Sequence, residues 1–580
     1  MKRAGPRNVD LGLALRIRRW RGIALLVGFA LMAAALEGRM FYLQVVNKEF
    51  LSAQGNDRHL NDVKISAHRG SITDRHGEML AVSTPVDSIG VDPHKIKPEL
   101  GRLAELARAL EMDEGLLERR ITSSLDKKFI LLRRHMRPDF AARVMQLGIP
   151  GLETRREYHR YYPSGEVTGH VIGFTDIDDW GQEGLELAFN HWLKGEDGVK
   201  RVMKDRLERI IQDVELVSPS RPGRTLVTSL DLRLQYLAYR ELQQAVVDKS
   251  ANAGSVVILD VDTGEVLAMV NQPSYNPNNR AQLQGARIRN RAVTDIFEPG
   301  SSFKPLIIAA ALESGRYQAD SLIDTSPGFI EVGGNFIITD TSNLGEVDVT
   351  TVLAKSSNVG ITKIALDLER QSLWTVLSDL GIGRATMSGF PGESAGVLND
   401  FQHWRPVGQA TLAYGYGVSV TALQLARAYA TIAAGGIHRP VSMLAAQGSL
   451  PIERVISPAT SAALMGMLEV VVSPAGTGSR AAIPGYRVAG KTGTTKKSGI
   501  GGYSENSYIA VFVGVAPVTD PKLVVVVVID EPRTGVYSGG EVAAPVFANI
   551  TSGALRLLAL TPDNLQQVPL RIVANTEVNL

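Results

Sequence analysis

A serine and a lysine stand three apart at Ser301 and Lys304, within FEPGSSFKPLIIAAA (residues 297–311). Glu298, Pro299 and Gly300 form a turn that delivers two serines into an apolar run of helical character. Residues three apart on a helix share a face and can touch. A hydroxyl would then lie beside an amine at a helix N-terminus, which is an arrangement for an activated nucleophile. Ser302 is only two before Lys304 and would point elsewhere. Alone, the tetrapeptide reads more simply as an N-cap serine with a surface lysine.

Two further tripeptides change that reading. Ser356 and Asn358 (S-x-N) precede the helical pattern ITKIALDLE, and Lys491-Thr492-Gly493, with Thr494 next, follows a short apolar segment. S-x-x-K, S-x-N and K-T-G in this order, in one domain, are the signature of the penicillin-recognising serine acyltransferases. The chemistry needs these types. Ser301 would attack an acyl carbon, and Lys304 would take its proton. An ordinary lysine is charged at neutral pH, so burial and a second cation, Lys491, would have to lower its affinity for the proton. Ser356 would relay the proton to the leaving amine and Asn358 would hold a substrate amide. Lys491 and the hydroxyls of Thr492 and Thr494 would meet a substrate carboxylate, with Gly493 permitting close approach. The N–H groups of Ser301 and Thr494 would form an oxyanion hole. Residues 485–492 (GYRVAGKT) also fit a phosphate-binding loop. That loop needs a strand before it and a helix directly after. Pro484 precedes and TGTTKKSGIGGYS follows, so the match is fortuitous.

The elements that must position these groups can be read along the chain. At 580 residues there is room for about three domains. With 62 basic and 60 acidic residues, no global nucleic-acid electrostatics are implied. The absence of cysteine excludes disulfides, thiolate catalysis and cysteine metal sites, and fits a cell-envelope location. No metal motif and no cofactor motif is seen. Residues 1–21 carry seven basic residues against Asp10, and then GIALLVGFALMAAAL (22–36) has no charge. Fifteen residues fall short of the ~20 that span a bilayer. The apolar character resumes after Glu37 and Arg39, so one helix over Gly22–Val46 would span. This uncleaved anchor is preferred to a cleavable signal peptide, for which Ala33–Ala35 offers a small-residue site. The positive-inside rule then keeps the N-terminus cytoplasmic.

Residues 47–220 read as a mixed α/β pedestal without chemistry of its own. Asp74–Gly77 forms a turn between strands, and Pro98–Gln146 carries apolar residues at helical spacing. Ser218–Gly223 is a Pro/Gly/Ser break taken as a boundary. Beyond it come a strand (Thr225–Thr228), a helix from Ser229 to Val247, and a hairpin of Ser255–Val261 and Glu265–Val270. Tyr508–Val515 and the valine run Lys522–Ile529 are further strands, the last buried on both faces. The expected fold class is α/β (α+β). Its parts are a basic tail (1–21), a transmembrane anchor (22–46), the pedestal (47–220), a penicillin-binding transpeptidase domain with an antiparallel sheet covered by helices (221–560), and a C-terminal tail (561–580).

At this point the chain resembles the class B penicillin-binding proteins, monofunctional D,D-transpeptidases of peptidoglycan synthesis, and among them the cell-division type of Gram-negative bacteria. The resemblance rests on AHRGSITDRHGEMLAVSTPV (67–86), EPGSSFKP, KSSNVG, AYGYGVSVTALQLA (413–426), GKTGTT and SGGEVAAPVF (538–547). It implies Ser301 as acylated serine, Lys304 as base, Ser356 and Asn358 as second motif and Lys491–Thr494 as third, with Tyr416, Tyr508 and Tyr537 as aromatic walls of the cleft. The implied donor is the D-Ala-D-Ala end of a peptidoglycan stem peptide, the acceptor an amine on a neighbouring strand, and β-lactam antibiotics the inhibitors. Implied partners are a SEDS-family glycosyltransferase (FtsW-like) and other divisome proteins in the bacterial inner membrane, with the catalytic domain periplasmic. Two departures are Ser538, where relatives often carry an aromatic residue, and Phe303 in place of a small β-branched one. A β-lactamase or D,D-carboxypeptidase would share the chemistry. However, the nearest match to the class A E-x-x-L-N glutamate, at Glu393–Asn399, has the wrong spacing. A β-lactam sensor would need a cytoplasmic output domain larger than residues 1–21, and three intact motifs speak against an inert scaffold.

Overall fold

The computed structural model describes residues 11–51, 60–204, 210–445, 452–499 and 502–564. The first ten residues of the basic tail and residues 565–580 of the C-terminal tail lie outside the described residues. Helix α1 (Leu11–Phe41) passes into a π-helical turn at Tyr42–Val46. It starts earlier than the apolar run, because the arginines at 16, 18, 19 and 21 are good helix formers. Its segment Arg19–Val46 has 28 residues, none of them buried. At 1.5 Å per residue it is about 42 Å long, more than the ~30 Å of a bilayer's hydrocarbon. Among the described residues it is the one helix long and apolar enough to cross a membrane.

The pedestal holds two sheets. β1 (Leu60–Ile65), β6 (Gly198–Lys204) and β7 (Ile210–Ser218) form an antiparallel three-stranded sheet in the order β1–β6–β7. The larger sheet runs β4 (Ile130–Met136), β3 (Met79–Val91), β2 (Ile72–Thr73), β8 (Leu226–Val227), with β5 (Leu152–Tyr161) also on β3. Helices at Leu103–Ala109, Glu114–Thr122 and Pro138–Gln146 bury Leu106, Leu117 and Val144 in its core. β4 corrects the helical reading of Pro98–Gln146. There Ile130 and Leu132 alternate inward against β3 with the strand period of two. β8 lies beyond the Ser218–Gly223 break yet pairs in parallel with β2.

The 67–86 motif forms the joint between the two halves. Arg69 and Arg160 both bind the buried Glu186, at 2.6 Å each. Asp74 sits at the turn between β2 and β3 and accepts the N–H groups of His76 and Glu78. Its other oxygen accepts the N–H of Leu232 at 3.2 Å, the first residue of helix α2 (Leu232–Asp248) in the catalytic half.

There, β9 (Ala253–Asp260) and β10 (Val266–Gln272) form the expected hairpin. Helices α3 (Lys304–Glu313), α4 (Asn358–Asp367), α5 (Ala422–Ala433) and α6 (Pro458–Val472) follow. β11 (Ala489–Gly499), β12 (Gly502–Ala516), β13 (Leu523–Asp530) and α7 (Gly539–Leu557) complete the domain. The sheet is antiparallel throughout, in the order β10–β9–β13–β12–β11. The valine run is its centre. Val524, Val526 and Val528 face a core built with α3, α5 and α6, while Val525, Val527 and Ile529 face α2 and α7. Each such side chain contributes roughly 1.5–3 kcal/mol on burial. The fold class is thus the expected α/β one. β11 is an edge strand, with one side open towards the motifs.

Candidate active site

Ser301 belongs to a 3-10 turn (Gly300–Phe303) rather than to the α-helix, which begins at Lys304 with Pro305 in its first turn. Ser301 and Lys304 thus stand on either side of the junction between the 3-10 turn and the α-helix. Ser302 Oγ donates to Pro299 O at 2.6 Å and is fully buried. Ser301 is partly exposed. Phe303 is wholly buried in the main core, so its size serves packing behind the Ser301 turn.

Lys304 Nζ donates to Asn358 Oδ1 at 2.8 Å, to Ser356 O at 2.5 Å and to Ser356 Oγ at 3.1 Å. Lys491, on edge strand β11, reaches the same Ser356 Oγ at 3.1 Å. Both lysines are fully buried. Burial holds Lys304 well below the usual lysine range, the charge of Lys491 pushes the same way, and Asp340 opposes. Burial lowers Lys491 to about 7. A neutral amine has two N–H groups. In the neutral form Ser356 O and Asn358 Oδ1 take both at Lys304, and the 3.1 Å contact with Ser356 Oγ falls on the lone pair rather than on a third N–H. Ser356 adopts φ 61°, a left-handed conformation rare for a non-glycine residue.

Gly493 brings β11 against the Gly300–Phe303 turn. A Cβ there would stand 2.7 Å from Pro299 O and 3.2 Å from Ser302 Oγ. The threonines are engaged within the protein. Thr492 Oγ1 pairs with Thr477 Oγ1 at 3.0 Å and with Lys491 at 3.3 Å, and Thr494 Oγ1 accepts the N–H of Gly539 at 2.9 Å. The three tyrosines fall into two groups. Tyr416 packs edge-on against Tyr414 and Tyr503, while Tyr508 stacks on Tyr537 at 3.9 Å. Ser538 caps α7 through the N–H of Glu541.

The sequence reading missed two carboxylates and a tyrosine. Glu298 Oε1 accepts the Gly417 N–H at 2.8 Å and the Tyr503 hydroxyl at 3.0 Å, tying the Ser301 turn to the 414–417 loop and to the β11–β12 hairpin. Asp340 binds the residues after Ser356. Glu298 adjoins the turn and carried a positional signal. Asp340 and Tyr503 carried none.

Lys304, Ser356 and Lys491, one residue from each of the three motifs, thus meet at Ser356 Oγ. The penicillin-binding protein transpeptidase domain family matches residues 254–552, and the penicillin-binding protein dimerisation domain family matches residues 64–228. The peptidoglycan D,D-transpeptidase FtsI of Escherichia coli strain K12 is 44% identical over 552 residues, covering 94% of this chain and 93% of the relative. The chain belongs to the class B penicillin-binding proteins of FtsI type, the peptidoglycan D,D-transpeptidases. Solved structures concur. The apo transpeptidase domain of Burkholderia pseudomallei penicillin-binding protein 3 is 43% identical, with a TM-score of 0.54 over 58% of this chain and 97% of that one. Mycobacterium tuberculosis penicillin-binding protein 3, in complex with aztreonam, is 27% identical, with a TM-score of 0.68 over 86% of this chain and 98% of that one.

Proposed function

We propose that Ser301 is the residue acylated in this D,D-transpeptidase and that Lys304 is its general base. The observation that carries this is the buried Lys304 amine, held by Ser356 O and Asn358 Oδ1 with Lys491 on the same hydroxyl. Neutral Lys304 takes the Ser301 proton as Oγ attacks the penultimate D-Ala carbonyl of a stem peptide. The N–H groups of Ser301 and Thr494 receive the oxyanion. Ser356 Oγ, between the two amines, passes the proton to the departing D-Ala amine. The acyl-enzyme then meets an amine of a neighbouring stem peptide, and the new amide is the crosslink of septal wall. Asn358 and Lys491–Thr494 hold the donor. Tyr416, Tyr508 and Tyr537 line the cleft. β-Lactams acylate Ser301 as mimics of the donor.

The chain is read as a single-pass inner-membrane protein. α1 spans the membrane, the basic tail lies in the cytoplasm and the catalytic domain in the periplasm. A SEDS-family glycosyltransferase (FtsW-like) and other divisome proteins would bind α1 and the pedestal. The boundary between pedestal and catalytic domain is placed near residue 220.

The hydrolytic alternative finds no support at Glu393, whose carboxylate is taken up by Thr386 and Ser388. The test is intact-mass analysis of the full-length protein after penicillin treatment. A single stable adduct on the peptide bearing Ser301, lost in Lys304→Ala and in Lys304→Arg, is expected. Arginine keeps a cation but cannot give up its proton. Labelling of Lys304→Ala at the unaltered rate would remove Lys304 from the role, and adduct release within seconds would favour a hydrolase.

A further inference from the structure

Asp340 follows the hairpin of Phe329–Val332 and Phe336–Thr339. Its own N–H is fixed to Gly328 O at 2.9 Å, at the hairpin's base. From there one carboxylate oxygen accepts the N–H groups of Asn358 at 2.5 Å and Val359 at 3.1 Å. The other accepts the Ser357 hydroxyl at 2.5 Å. The neighbouring Thr339 O accepts Asn358 Nδ2 at 3.2 Å, which turns Asn358 Oδ1 towards Lys304. Four hydrogen bonds from Thr339 and Asp340 thus grip residues 357–359. Ser356, one residue earlier, holds its left-handed backbone and offers both its carbonyl and its hydroxyl to Lys304. Such a conformation persists only where its surroundings over-determine it. Ser357 also caps α4 through the Gly360 N–H at 2.8 Å, so the carboxylate and the cap act on the same turn.

We propose that Asp340 is a positioning residue for acylation: from the base of its hairpin it clamps the Ser356–Asn358 turn so that Ser356 Oγ, Ser356 O and Asn358 Oδ1 stay on Lys304. It touches no reacting atom. It acts through the turn, and it also places a negative charge near Lys304. Two charges act on Lys304. Lys491, from β11, opposes its ammonium form and Asp340 favours it. The inference rests on the roles given above to Ser301 and Lys304.

The experiment measures the second-order rate of acylation by a fluorescent penicillin, as a function of pH, on full-length detergent-solubilised protein. Asp340→Ala should lower the rate roughly tenfold or more, since it strips the acceptor from three donors. Asp340→Asn keeps an acceptor for the two N–H groups and loses the charge. It should lose less rate, and its acidic limb should move to lower pH, because neutral Lys304 then forms more readily. Ser357→Ala removes one of the three bonds and keeps the charge, so it should slow labelling without moving the limb. An unchanged rate and pH profile in both Asp340 variants overturns the proposal. So does a loss of labelling that merely follows a fall in melting temperature. Labelling of Ser301 in the unaltered protein reads the parent assignment, and only the contrast between variants reads Asp340.

Discussion

Lys304 Nζ and Lys491 Nζ each lie 3.1 Å from Ser356 Oγ, so one hydroxyl joins two fully buried amines. Two ammonium groups sharing one oxygen repel each other in a poorly solvated site. Burial lowers the proton affinity of both amines, and the charge of Lys491 lowers that of Lys304 further.

Removing the second cation should therefore weaken the base's poise. In Lys491→Ala the ammonium form of Lys304 becomes easier to keep. The acidic limb of the acylation-rate profile should move to higher pH, and the rate at pH 7 should fall by roughly 10²-fold. A limb that stays in place would disconnect the two amines.

The same burial has a thermodynamic sign. Lys491 is lowered to about 7 in the folded protein from 10.5. Below pH 7 both states carry the proton, and folding must bury a charge. Between about 7 and 10.5 the unfolded state binds the proton and the folded state does not, so stability rises with pH across that window. Lys491→Met carries no such penalty. It should melt higher than the unaltered protein at pH 6, with the advantage shrinking towards pH 10, while labelling is lost. Calorimetry at the two pH values decides it.

Ser356 has φ 61°. Ser356→Gly relieves a backbone cost of roughly 1 kcal/mol, and the melting temperature should rise slightly. The same change removes the hydroxyl between the lysines, and acylation should fall about 10²–10⁴-fold. Opposite signs in the two measurements are the expected outcome. A fall in both would place the hydroxyl in the structure rather than in the chemistry.

At Gly493 there is no room for a methyl group, with Pro299 O 2.7 Å from a Cβ. Gly493→Ala should push β11 away from the Ser301 turn and slow acylation at least tenfold, given that about 1 Å of misplacement can cost 10². Gly408→Ala, with nothing within 4 Å, serves as the control and should label normally.

In the pedestal, Glu186 is wholly buried between Arg69 and Arg160. Glu186→Ala leaves two buried guanidinium groups without their carboxylate and should cost about 3–5 kcal/mol. Denaturant unfolding measures it. The molecules that remain folded should acylate at the normal rate.

The motifs were legible because each carries a rare pairing of types at a fixed spacing. The sheet was legible because a run such as VVVVV has no other burial solution. What escaped was held by lone residues. Asp340 lies in a loop with no patterned neighbour, and its partners come 17 to 19 positions later. Tyr503 depends on the β11–β12 hairpin folding back onto Glu298, which no local pattern announces. β4 escaped because its apolar residues sit inside a stretch whose flanks are helical, and a seven-residue strand offers few turns of its period to read. The α-helix expected at Ser301 is a 3-10 turn there, because the α-helix begins only at Lys304, where Pro305 occupies its first turn.

The joint at Asp74 has a mechanical meaning. Its carboxylate caps α2, Arg75 N–H binds Leu230 O at 2.9 Å, and the Thr228 hydroxyl binds Thr73 O at 2.9 Å. α2 in turn lies on β9 and β10. These bonds run from a turn in one half to a helix start in the other, and the two halves share one core. With three direct hydrogen bonds and a common apolar core across it, the joint ties the orientation of the pedestal to that of the catalytic sheet.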